Sequence, residues 1–137
     1  MTTQTAAERR EEQKQTYNVF DAECPTRRVM ATVGDKWTAL VMCGLSTGSQ
    51  RHSELRDRIA GVSQKMLTQT LRGLERDGLV TRTVTASVPV RVDYALTDTG
   101  RDLGPLLHGI KEWAEANMDR VLAAREEHDR RPVEQAS

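Results

Sequence analysis

The chain lacks any apolar run near the roughly 20 residues that a membrane-crossing helix needs, so no span is expected. Its two cysteines are too few for a disulfide framework. They stand 19 residues apart, and with histidines scattered at 52, 108 and 128 they lack the spacing of a zinc site. A glycine-rich phosphate loop and a Ser/His/Asp grouping are also missing. Catalysis, a metal and a cofactor are therefore not expected. The opening MTTQTAAERREEQKQ is polar and does not read as a secretory signal, which makes the cytoplasm the expected compartment. Internal repeats are absent. So is net charge, with 20 Lys/Arg against 20 Asp/Glu.

That balance conceals a division. Residues 51–92 hold eight Lys/Arg against four Asp/Glu, whereas residues 93–137 hold six against ten. A basic middle and an acidic tail act as separate surfaces under physiological screening. The length of 137 residues fits one domain, and 37% hydrophobic residues make its core lean.

The basic middle reads as a short helix, a turn, a second helix and a hairpin over residues 53–96. Ser63 is the expected N-cap of the second helix, with Val62 stapling to Leu67. Gly78 stands where a left-handed residue ends it, and Leu79 can touch Leu74. Met66, Leu67, Leu71 and Leu74 make its inner face. Gln64, Lys65, Thr68, Gln69 and Arg72 make the other, with the donors and acceptors that meet base edges and phosphates in a major groove. After Leu79 the period changes to two, giving strands around an Ala86–Pro89 tip. This is the pattern of a winged helix-turn-helix, and it points to transcription control rather than catalysis.

Before the reader, Cys24-Pro25 opens a helix with Val29, Met30 and Val33 inward. Gly34-Asp35 interrupts it, and Lys36 to Leu45 follows with Trp37, Leu40, Val41 and Cys43 near the core. Ser53 is the expected N-cap of the first reader helix, which buries Leu55 and Ile59 and ends at Gly61. Thr97 caps a last helix, roughly Asp98 to Glu127. Its stripe of Leu107, Ile110, Trp113, Ala114 and Val121 exceeds what so small a domain can cover, so a second copy of the chain is the expected partner. The expected organisation is an arm over 1–20, partly disordered and helical from about Ala6. A mainly α winged-helix domain with N- and C-terminal dimerisation helices spans 21–127, and a disordered tail spans 128–137.

Four blocks, CPTRRVMATVGDKW, RHSELRDRI, VSQKMLTQTLRGLERDGLV and RVDYALTDTG, resemble in order the HxlR family of bacterial winged-helix regulators, relatives of the MarR group. The resemblance implies a homodimer on a palindromic double-stranded DNA operator, with dimerisation through the terminal helices. In some members it implies control by oxidation of the thiol matching Cys24. Two positions depart from the family pattern: His52 replaces a usual aromatic, and Pro89-Val90-Arg91 replaces two prolines before the arginine.

Arg51, His52, Ser63, Gln64, Lys65, Thr68, Gln69, Arg72 and Arg91 are the candidate DNA-binding residues, with Arg82 and Lys36 as further backbone contacts. Read singly, the helix residues fit an ordinary solvated face and the arginines fit plain strand surface. Cys24 sits at a helix N-terminus with Arg27 and Arg28 one turn on, a setting that lowers a thiol pKa. It reads as a redox sensor for a small electrophile or oxidant, or as a capping thiol with no such role. Cys43 reads as a small core residue. The expected function is a dimeric sequence-specific regulator, with repression the expected mode. The alternatives are a winged-helix protein-interaction module, a regulator controlled by a ligand at the dimer interface, or an enzyme using Cys24 as nucleophile.

Overall fold

Polar side chains set where the helices start. In the computed structural model, which describes residues 3–10 and 20–132, Cys24 precedes α1 (Pro25–Gly34) and Pro25 supplies its first turn. Asp35 is extended and ends that helix, and its Oδ1 accepts from the amides of Trp37 and Thr38, both at 3.0 Å, to open α2 (Lys36–Leu45). The third helix, α3 (His52–Arg58), departs from expectation. Ser53 lies inside it, and Arg51 is the N-cap, its amide held at 3.1 Å by the Glu54 carboxylate reaching back. A carboxylate one turn in satisfies the same orphan amide that a serine cap would leave open.

The next helix, α4 (Gln64–Arg76), has both expected boundaries. Ser63 Oγ accepts from the Met66 amide at 3.1 Å. At the far end the Leu79 amide donates to the Leu74 carbonyl (2.9 Å) and the Gly78 amide to Glu75 (3.1 Å). Gly78 has a φ of 73°, which completes a left-handed helix stop. The antiparallel strands β1 (Val80–Thr85) and β2 (Arg91–Leu96) pair Val80 with Leu96 and Thr85 with Arg91. Val90 therefore belongs to the tip. Gln50 exchanges both backbone hydrogen bonds with Tyr94, at 2.9 and 2.8 Å, and so ties the loop before α3 to the wing.

The last helix, α5 (Asp98–Arg130), is capped by Thr97, whose Oγ1 accepts from Gly100 at 3.0 Å and donates to the Gly78 carbonyl at 2.6 Å. Residues 128–130 are therefore helix rather than disordered tail. Residues 6–10 are helical as expected of the arm, while its continuation over 11–19 and the tail at 133–137 lie outside the described residues.

One core joins these elements: Val41, Met42 and Leu45 from α2, Leu55 and Ile59 around α3, and Leu67, Leu71 and Leu74 from α4. Leu79, Val80, Leu96 and Leu107 close it. Each fully buried leucine contributes about 1.5–3 kcal/mol of transfer free energy. Several expected core positions are not in it. Val29 and Met30 of α1 are 51% and 59% exposed, and only Val33 of that trio meets the core. Leu40 and Cys43 share the outer face of α2, and Met66 is exposed. Leu107, expected at a subunit interface, is buried within its own domain. The architecture is a winged helix-turn-helix carrying a long terminal helix.

Candidate nucleic-acid interface

The buried stripe of α4 fixes what its other side presents. With Leu67, Leu71 and Leu74 held in the core, Gln64, Lys65, Gln69 and Arg72 are exposed along the opposite face. Thr68 is half-buried, because its Oγ1 lies 3.1 Å from His52 Nε2. That bond joins the two reader helices, so both side chains position the helix as well as lining its approach. The Ser63 hydroxyl oxygen is occupied as the cap acceptor.

Arg51, His52, Ser53, Arg56, Gln64 and Arg91 come together, with the hairpin tip, around an open groove of about 660 Å³ between α3, the start of α4 and the wing. Four of the expected residues thus share one surface. Arg56 was not singled out from the sequence, although it lies on α3 five residues after the Arg51 cap. Neither flanking arginine is loose. Arg51 Nε donates to Glu54 Oε1 at 3.0 Å, and Arg91 Nε donates to Asp93 Oδ2 at 3.1 Å. The hydrogen bonds from the Arg51 side chain and then its backbone hold the Glu54 carboxyl below the usual carboxylate range, and the charges of Arg51 and Arg91 add to this.

A second cleft, of about 670 Å³, is lined by Thr68, Arg72, Glu75, Arg76, Arg82 and Tyr94. It places Arg82 on the wing beside Arg72 on α4, and it adds Arg76, a further cation the sequence reading passed over. Gln69 turns instead toward a third groove with Trp37 and Arg28. Lys36 lies over the Trp37 ring, 4.7 Å from its centroid. Side-chain donors of this kind are the groups that contact phosphate oxygens and base edges in protein–DNA interfaces.

Cys24 is buried at the N-cap of α1. Its carbonyl accepts from the amides of Arg27 and Arg28, at 3.1 and 3.3 Å. Cys43 is the exposed thiol of the two, against expectation. On α5, Leu106, Ile110 and Trp113 are exposed, while Ala114 and Val121 are half-buried. No helix among the described residues is long and apolar enough to cross a membrane.

Known proteins share this fold. The model of the HxlR-like helix-turn-helix family matches residues 32–122. The HTH-type transcriptional regulator YtfH of Escherichia coli is 40% identical over 110 residues, which are 80% of this chain and 87% of that protein. Among solved structures, the transcriptional regulator YtfH of Salmonella typhimurium is 39% identical with a TM-score of 0.75, covering 80% of this chain and 98% of that one. The redox regulator HypR in its reduced form is 37% identical with a TM-score of 0.68, covering 72% and 98%. HypR is also solved in an oxidized form. The chain belongs to the HxlR-like helix-turn-helix family of transcriptional regulators.

Proposed function

We propose that the chain is a cytoplasmic homodimeric repressor that binds a palindromic operator and is released or re-seated by oxidation or alkylation of Cys24. The observation that carries the DNA-binding half is the exposed donor face of α4 set between two arginine-lined clefts. In this reading α4 enters the major groove, Lys65 and Arg72 meet bases or phosphates, and Arg51 and Arg91 together hold the backbone on one side of it. Two copies set their recognition helices about 34 Å apart, one turn of DNA. Lys65→Ala and Arg72→Ala are each expected to weaken operator binding by about 1–3 kcal/mol where the contact is to a base. A phosphate contact would weaken binding to all sequences alike and flatten the salt slope by about one unit. Wild-type affinity in both variants, measured by fluorescence anisotropy at physiological salt, would remove this face from the interface.

The sensor half rests on the position of Cys24 at a helix N-terminus followed by two arginines, and on the likeness to a regulator solved in reduced and oxidized forms. A thiolate is the species that attacks peroxides and quinones. A peroxide would transfer one oxygen to the sulfur, leaving a sulfenic acid and water. Because the thiol is buried, the added oxygen or adduct must displace its neighbours at the start of α1. Cys24→Ser is expected to bind operator as wild type does but to lose the response to diamide or a quinone. An undiminished response in Cys24→Ser would move the sensor elsewhere.

A further inference from the structure

The residues that suit the two flanking arginines to phosphate also include a carboxylate that opposes it. Glu54 is the only acid in the first turn of α3, and its Oε1 accepts from both the Arg51 amide (3.1 Å) and Arg51 Nε (3.0 Å). Arg51 and Arg91 line the same groove, and the charge of Arg91 reaches the Glu54 carboxylate as well. On the wing side Arg91 is held by Asp93. Both arginines of the groove are thus paired through Nε with a carboxylate of their own element, and a phosphate that takes either guanidinium meets that carboxylate's charge.

Resting on the DNA-binding reading above, we propose that Glu54 is an internal counterion that competes with the DNA backbone for Arg51, and so sets how tightly the protein holds any duplex. In free protein Glu54 neutralises Arg51, to which it is paired at 3.0 Å. On DNA it keeps the Arg51 amide but loses the guanidinium, so part of the Arg51–phosphate attraction is offset. The offset applies to operator and random DNA alike, because that contact reads no base. Its consequence is that random DNA retains less protein, while the ratio of operator to random binding is still fixed by α4. Asp57, an exposed acid on the same helix with no ion pair among the described residues, lacks this role.

The test is Glu54→Gln. The amide oxygen still accepts from the Arg51 backbone, so the helix cap is preserved while the charge is removed. Binding is measured to a random-sequence duplex and to DNA from upstream of the protein's own gene, over a range of salt concentrations, with Asp57→Asn alongside. Glu54→Gln is expected to tighten both by about threefold to tenfold at low salt. It is also expected to steepen the salt slope by about 0.9 per protomer, as one more phosphate is fully neutralised. Asp57→Asn is expected to stay close to wild type, and thermal unfolding of both variants to stay near that of wild type. Unchanged or weaker binding by a folded Glu54→Gln would overturn the proposal, as would an equal gain in Asp57→Asn, which would mark a general charge effect. Failure of the wild-type protein to bind either duplex would instead overturn the DNA-binding reading itself.

Discussion

Gly100→Ala is expected to destabilise the protein by about 3 kcal/mol or more, the upper part of the range for forcing extra atoms into a packed site. A Cβ at Gly100 would run into the backbone oxygen of Leu79 and come within 3.1 Å of its carbonyl carbon. Neither atom belongs to a flexible side chain. The Leu79 carbonyl is already fixed by accepting from the Thr97 amide at 3.0 Å, and Thr97 is fixed in turn through Gly78 and Gly100. Relief would have to come from moving the first turn of α5 away from the end of α4. That junction is also where the reader helix is attached to the long helix, so any surviving folded protein should bind DNA less well. Gly73→Ala provides the comparison. It lies within α4 with open space around its would-be Cβ, and it should stabilise by up to about 1 kcal/mol through helix propensity. Thermal unfolding distinguishes the two. Equal midpoints would mean that the Leu79–Gly100 approach relaxes without strain.

What could be read from the chain follows how local each signal is. Ser63, Gly78 and Thr97 act on amides and carbonyls within a few residues, and their helix boundaries lie where the sequence places them. The buried face of α4 was legible because three leucines at helical spacing have an unambiguous partner in α2 and the wing. The Arg51–Glu54 cap was not, because Ser53 is the commoner cap type, and nothing local reveals that a glutamate reaches back to the preceding amide. The His52–Thr68 bond spans 16 residues, beyond any periodic pattern. Arg91 and Asp93 are a different case, since residues two apart on a strand share a face and their pairing was available to inspection.

Apolar spacing has a specific blind spot. It identifies a hydrophobic face but not what covers that face. Val29 and Met30 on α1 and Leu40 on α2 all read as inward, and all are exposed in the single chain. Leu107 errs the other way, assigned outward with Ile110 although it is core. Both residues belong to one stripe along α5. The domain ends beneath Leu107, the last residue of that helix to be buried, and the stripe continues past it. A helix of 33 residues runs about 50 Å, more than a core this lean can underlie.

Ile110→Asp is accordingly expected to convert a dimer into a folded monomer that loses at least about 100-fold in operator affinity. Leu106, Ile110 and Trp113 are 66%, 58% and 61% exposed, an apolar cluster on the part of α5 that its own domain does not cover. If a second copy of the chain covers it, a carboxylate at Ile110 would be desolvated on association, and no cation in the apolar cluster offsets that charge. The protomer itself should tolerate the change, because Ile110 is not part of its core. Loss of dimerisation would separate two recognition helices whose linkage raises effective affinity by about 10²–10⁴ over one half-site. The assembly is read by sedimentation equilibrium, the fold by circular dichroism, and the affinity by titration of a palindromic duplex and its single half-site. The variant should bind the two duplexes nearly alike, whereas wild type should prefer the palindrome. A variant that stays dimeric, or a folded monomer that still prefers the palindrome, would place the subunit contact on another surface, with the exposed Val29 and Met30 of α1 the next to be substituted.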